Sequence, residues 1–250
     1  MINTGYTHLD QLTGGFHNGE LISIIGRPLM CRTLFALNLF KNLISEEKSN
    51  VVFLTSECPS NKIIKLLNQI GGLDHQTVAE KIIDVSGINN IEDFITFVRQ
   101  IVSQKGANLI ILDSFHYLGL FNYSLPSGLA DATRRIKQLA KDLDVAIIMT
   151  SRTNYNCDER EGLIGMIPRL NDTNNVGDLA YYCDVVLGLY RPEVDGIVYD
   201  VRGYDLHDEL FVFVMKSRTR ISDQYIKYNI SPTSCSIIEK GAFLVKDTFF

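Results

Sequence analysis

The sequence predicts an α/β protein built on a mostly parallel, doubly wound sheet with a C-terminal antiparallel extension. Three observations predict it. Apolar runs of strand length alternate with helical periodicity up to about residue 190. The first of these runs leads through a Gly-opened loop into a helix, over LISIIGRPLMCRTLFALNLF at residues 21–40. Beyond residue 190 the helical patterns stop and closely spaced strand patterns follow.

Residues 20–25, 51–56, 82–85, 108–112, 145–150 and 184–190 read as strands, several of them unbroken Ile/Val/Leu runs of the kind a sheet covered on both faces requires. Segments 33–46, 59–70, 91–104 and 128–142 read as helices, and Ala132, Ile136, Leu139, Ala140 and Leu143 recur at helical spacing around the last. Strand–helix alternation implies right-handed crossovers and therefore parallel order. The patterns at 197–202, 209–216, 224–230 and 234–238 read as antiparallel strands. No low-complexity tract or Pro/Gly-rich linker interrupts the chain, so residues 1–250 are expected to form a single domain.

Composition narrows the function classes. At 46% hydrophobic and 21% charged, the chain is an ordinary globular one whose longest apolar runs are strand-length and broken by charge, so no membrane partner is expected. MINTGYTHLD carries no basic and apolar signal. Five cysteines (Cys31, Cys58, Cys157, Cys183 and Cys235) with no C-x-x-C spacing read as reduced thiols of a cytoplasmic protein rather than a disulfide frame or zinc site. A net charge of −5 makes the overall field mildly repulsive to nucleic acid, so any such contact must come from a local basic surface.

The loop at residues 26–33 has the shape of a nucleotide phosphate-binding loop. That pattern asks for Gly, four residues, Gly, Lys and Ser or Thr, so that backbone N–H groups and a helix N-terminus surround phosphate oxygens. Gly26 and Thr33 are in register, while Cys31 stands at the second Gly and Arg32 at the Lys. Cys31 adds a side chain and costs roughly 1–2 kcal/mol if the position is left-handed. Arg32 keeps the charge but replaces a slim ammonium with a planar fork. By pattern alone the stretch is equally an ordinary strand–turn–helix corner.

Open α/β sheets bind ligands outside the carboxyl ends of their strands, and polar residues recur there. Glu57 follows VVFLTS, Asp113 closes NLIILD, and Ser151-Arg152 follow AIIMT. A lone acid after a strand is commonly a cap or turn former; two beside a phosphate-loop shape point to a site. Asp113 would then hold Mg²⁺ and Glu57 would polarise an attacking water. Arg152 is either a ligand contact or a solvated loop charge.

From Thr4 to about Ile238 the chain resembles the C-terminal, RecA-like motor domain of DnaB-type replicative DNA helicases. The resemblance rests on TGYTHLDQLTGGFHNGELISIIGRP, Thr33-Leu34-Phe35-Ala36-Leu37-Asn38, Thr55-Ser56-Glu57, Leu109-Ile110-Ile111-Leu112-Asp113, RRIKQLAKDLDVAIIMTSRTN, Cys183-Asp184-Val185-Val186-Leu187-Gly188-Leu189-Tyr190-Arg191 and Lys216-Ser217-Arg218, in family order. It implies a RecA-like P-loop NTPase fold, with no N-terminal helical domain and no linker helix in this chain, and ATP with Mg²⁺ as cofactors. Gly26, Arg27, Pro28, Leu29, Met30, Cys31, Arg32, Thr33, Tyr190 and Arg191 would then border the nucleotide, with Thr33 and Asp113 on the metal. Glu57 would carry the catalytic carboxylate, and Lys216 and Arg218 would reach a neighbouring subunit's site. Arg152 would couple the site to DNA, and Asn174, Asn175 and Gly177 would occupy the DNA-contact loop. The implied partners are single-stranded DNA, weakly held because Asn174-Asn175 replaces the family's Arg-Glu, and a nucleotide-dependent homo-hexamer. Two functions stay open: an ATP-driven motor whose hydrolysis is impaired by Cys31 and Arg32, or a non-hydrolysing relative that keeps the fold as a nucleotide sensor or interaction protein. Lys216 and Arg218 can also be read as charges flanking an edge strand.

Overall fold

The computed structural model describes residues 1–45, 49–117, 126–154, 157, 160, 165–174, 176, 178–219 and 224–245. Six strands form the parallel part of one sheet: β1 (Leu21–Gly26), β2 (Val51–Thr55), β3 (Ile82–Asp84), β4 (Leu109–Asp113), β5 (Ala146–Arg152) and β6 (Val185–Tyr190). Three antiparallel strands, β7 (Glu209–Lys216), β8 (Gln224–Ile230) and β9 (Ile237–Leu244), extend it to nine, in the order β3-β2-β4-β5-β1-β6-β7-β8-β9. The doubly wound sheet with its antiparallel extension is therefore as the sequence predicts.

The central strands are apolar on both faces because both faces are covered. Ile22 and Ile24 of β1 and Val51 and Phe53 of β2 join one core with Phe35, Phe40, Ile63, Leu67 and Val78. These come from the helices α2 (Arg32–Ile44), α3 (Ser60–Ile70) and α4 (His75–Lys81). Leu21, Ile25, Val52 and Leu54 alternate to the other face and meet Phe94, Val98, Leu129, Ile136 and Leu179. These belong to α5 (Ile91–Lys105), α6 (Pro126–Leu143) and the short α7 (Leu179–Tyr182). Among the described residues no helix is long and apolar enough to cross a membrane.

Several expectations need correction. Residues 197–202 do not form a strand; only an isolated bridge joins Tyr199 to Asp205. Asp200 Oδ1 accepts N–H bonds from both Arg202 and Tyr204, so the alternating pattern there closes on itself as a turn. The last strand runs over 237–244 rather than 234–238, since the Ser/Thr-rich 231–236 segment satisfies its polar groups locally. A helix at the start, α1 (Thr7–Thr13), has no counterpart in the sequence expectations. It ends in left-handed Gly14, followed by left-handed Gly15.

Gly188 of β6 shows how tightly this scaffold is fitted. A Cβ there would lie 2.8 Å from two Pro168 ring carbons and 2.9 Å from Met215 Sδ. Gly188→Ala should therefore destabilise the fold by about 1–3 kcal/mol through overpacking, seen as a lower midpoint in urea with unchanged slope. An unchanged midpoint would mean that the 165–174 segment yields freely.

Candidate active site

The carboxyl ends of β1, β2, β4 and β5 lie side by side, because Thr55 pairs with Asp113 and Gly26 with Arg152 across parallel ladders. Gly26 opens the loop and α2 closes it. The loop turns by two non-glycine left-handed residues, Leu29 (φ 67°) and Cys31 (φ 59°), and Cys31 is the N-cap of α2 without a side-chain cap bond. The second-Gly position thus does require the conformation that glycine adopts at little cost. Leu29 is 75% exposed, leaving its apolar side chain outside the fold.

Thr33, in the first turn of α2, donates its hydroxyl to Asp113 Oδ2 at 2.9 Å. Thr150 of β5, which the sequence patterns do not single out, donates to Asp113 Oδ1 at 2.5 Å. Burial raises the Asp113 carboxyl above its ordinary range, against the two hydroxyl bonds and the Arg32 charge. Glu57 is exposed, and its carboxyl is raised first by partial desolvation and then by the Asp113 charge, with Arg32 opposing. Arg32, Glu57 and Asp113 therefore share one field at the helix N-terminus. Hydroxyl and carboxylate oxygens are hard donors suited to Mg²⁺, which commonly takes one or two protein oxygens and completes its shell with phosphate and water. Among the described residues no cluster of three His, Cys, Asp or Glu offers an all-protein metal cage.

His116 is a second residue absent from the sequence expectations, although it stands three residues after Asp113. It is buried, its Nδ1 is 3.2 Å from Ser151 Oγ, and it is held neutral, pushed down to about 3 by burial first and then by Arg152 and Arg32. A neutral imidazole in that place can exchange hydrogen bonds without adding charge to a site already holding two arginines.

The other expected nucleotide residues divide. Arg191 turns onto the loop: its Nη1 is 3.1 Å from Cys31 Sγ, its backbone N–H meets Met30 Sδ at 3.1 Å, and its Nη2 pairs with Glu193. Burial pushes the Cys31 thiol up, with Arg191 opposing. Arg27 pairs with Asp195 in the 3₁₀ turn Pro192–Asp195. The Tyr190 ring is buried against Phe211 in the same core cluster as Met30 of the loop, and burial together with the Asp195 charge raises its phenol.

Lys216 and Arg218 lie at the amino ends of the parallel strands, and β7 is an interior strand between β6 and β8, so the two cations do not flank an edge strand. Antiparallel β7 sets Lys216 opposite Val186, near the start of β6, and Lys216 Nζ bonds the carbonyls of Ala180 (2.9 Å) and Cys183 (2.6 Å) at the end of α7. Arg218 meets Gly15 and Glu20, which precede β1. The six residues of β1 separate that end from the loop by roughly 17–20 Å, so neither residue joins the chain's own site. Asn174 is exposed after the 3₁₀ turn Leu170–Thr173; Asn175 and Gly177 lie outside the described residues.

A Gly-opened loop leading into a helix, beside a buried carboxylate at a nearby strand end of a mostly parallel sheet, is the arrangement of the RecA-like nucleotide-binding fold. The family profile described as DnaB-like helicase C terminal domain matches residues 1–85 and 65–227. The chain belongs to that family. It is 24% identical over 218 residues to the replicative DNA helicase DnaB of Geobacillus stearothermophilus, covering 77% of this chain and 47% of that protein. The chain thus spans about half the length of the curated relatives it matches. Among solved structures, one described as an ATPase domain superposes with a TM-score of 0.79 at 18% identity, covering 96% of this chain and 91% of that one. A DnaB-like replicative helicase studied with its primase interactions superposes with a TM-score of 0.78 at 18% identity, covering 95% and 61%.

Proposed function

We propose that this chain is the ATP-binding motor of a DnaB-like helicase, hydrolysing ATP to act on single-stranded DNA in replication, in the cytoplasm. The observation that carries this reading is the convergence of Thr33 and Asp113 at 2.9 Å beneath the loop. Bound there with the nucleotide, Mg²⁺ would neutralise phosphate charge. The loop N–H groups and the α2 N-terminus orient the phosphates, Arg32 contributes a fixed cation, and Thr33 and Asp113 hold the metal. Glu57, its carboxyl raised by partial desolvation and then by the Asp113 charge, would accept hydrogen bonds from the attacking water. Arg218 serves a second copy's site, because its own lies at the opposite end of the strands, and a nucleotide-dependent ring is the assembly that arrangement supports.

Turnover measured with and without single-stranded DNA, beside Asp113→Ala, tests the motor. Turnover lost in the variant is the expected result; turnover equal in both proteins would defeat the reading. Single strands should bind weakly, with a shallow salt dependence of roughly 0.7 per phosphate contact, because Asn174 presents an amide and the whole chain carries −5. A second reading, a nucleotide sensor without turnover, is favoured by one observation: Cys31 places a side chain, held to Arg191, at the left-handed position of the loop.

A further inference from the structure

Arg218 is mounted rather than merely present. Ser217 and Thr219 on either side both donate their hydroxyls to the Leu12 carbonyl near the end of α1, which pins the backbone around it. Its guanidinium donates from Nη2 to the Gly15 carbonyl at 3.1 Å, and Nη1 lies 2.5 Å from Glu20 Oε1 as an ion pair. The Glu20 side chain is 8% exposed and that of Arg218 is 40% exposed, so the carboxylate sits beneath and the guanidinium outside. The other Glu20 oxygen, Oε2, accepts the His17 N–H at 2.8 Å, and the Glu20 carbonyl accepts the Ile147 N–H at 2.9 Å. The carboxylate is thereby fixed to the sheet. The Gly15 carbonyl is presented by a left-handed Gly14-Gly15 pair, and a Cβ on Gly15 would meet Met1 Cγ at 2.7 Å.

A guanidinium carries five N–H donors in a rigid fork. Glu20 and Gly15 engage the two terminal nitrogens from the protein side, while the Arg218 side chain stays 40% exposed. A guanidinium held in this way keeps further N–H donors that a phosphate of a second copy could accept as a bidentate pair.

We propose that Glu20 is the positioning residue for Arg218, orienting its guanidinium toward the nucleotide phosphate of an adjacent copy. The proposal rests on the trans role given to Arg218 above and adds the residue that aims it. Glu20 touches no nucleotide; it acts through the arginine.

The test compares wild type, Arg218→Ala, Glu20→Gln and Asp113→Ala, singly and in equimolar mixtures. Readouts are ATP turnover and nucleotide affinity, with sedimentation in ATP·Mg²⁺ as a third. Glu20→Gln keeps the shape but removes the charge, and should lower kcat about tenfold, because misorientation of a positioned group is costly, while leaving the variant's own nucleotide Kd unchanged. Asp113→Ala subunits, which keep an aimed Arg218, should restore turnover to Glu20→Gln subunits on mixing; Arg218→Ala subunits should not. A Glu20→Gln protein that loses its own nucleotide affinity and is not rescued by Asp113→Ala subunits would show a structural role and overturn the proposal. A higher kcat or stronger association in Glu20→Gln would also overturn it, by showing that Glu20 restrains Arg218. Normal turnover in Glu20→Gln beside a dead Arg218→Ala overturns the positioning role alone. Wild type that neither turns over nor associates with ATP·Mg²⁺ overturns both the proposal and the motor reading on which it rests.

Discussion

Asp113→Asn should abolish turnover and at the same time raise the melting temperature of the nucleotide-free chain. The carboxylate is 1% exposed and its charge is desolvated, with only the Thr33 and Thr150 hydroxyls and the Arg32 field to compensate. Its folded pKa therefore lies above the ordinary value of 3.8. For a carboxyl raised on folding, the ionised form costs stability. The cost is absent below the unfolded pKa and grows as pH rises to the folded one. Asparagine is never charged, keeps the shape, and can still accept one hydroxyl. The variant should gain about 1–2 kcal/mol at pH 7, the usual scale when a functional site is neutralised, or roughly 2–4 °C per kcal/mol. The gain should shrink as pH falls toward 4. Function moves the other way: Asp113 is the anion of the proposed Mg²⁺ site, and turnover should fall by about 10²–10³-fold or more without it. Thermal melts from pH 4 to 8 beside a turnover assay check both halves. A variant less stable than wild type at pH 7 would show that the two hydroxyl bonds outweigh the desolvation of the charge.

The second large effect concerns the loop. Cys31→Gly with Arg32→Lys should tighten ATP·Mg²⁺ binding by at least about tenfold, or ~1.4 kcal/mol. Cys31 already occupies the left-handed region at φ 59°, so its conformational cost of roughly 1–2 kcal/mol is carried by the free fold. Removing it should stabilise the apo-chain. The affinity gain has another source: a bare backbone at residue 31 lets phosphate approach the N–H groups, and it frees the Arg191 Nη1 now lying 3.1 Å from the thiol. The lysine then supplies a slimmer cation than the planar fork of Arg32. Calorimetry giving equal Kd for wild type and double variant would mean that the divergent loop is no handicap.

The parallel half of the fold was legible in the sequence because its central strands are apolar runs, rich in Ile, Val and Leu and buried on both faces, and therefore independent of any reading of period. The left-handed need at Cys31 was legible too, since the loop pattern specifies a backbone conformation and not only a residue type. What escaped were partners distant in sequence. Thr150 reaches Asp113 across 37 residues, and Arg218 finds Gly15 across 203; no local pattern encodes either contact. His116 escaped for a different reason, since a histidine in an apolar stretch has no periodic signature, and only the fold sets it between Ser151 and two arginines. The 197–202 pattern alternates like a strand, but Asp200 closes it into a turn through its own carboxylate.

Tyr6 ties the two ends of the chain together. It stacks on Phe35 with ring centroids 5.9 Å apart and meets Tyr228 edge-on at 5.0 Å, while its hydroxyl donates to the Ile237 carbonyl, 231 residues away. On a translating ribosome at 5–20 residues per second, Tyr6 must wait roughly 10–50 s for the strands that bury it. The parallel strands and their helices emerge well before that junction can close. The nascent chain therefore passes through a stage in which an N-terminal aromatic side chain is solvent-accessible and the outer edge of β6 has no strand beside it, the kind of exposed apolar and unpaired surface that chaperones bind.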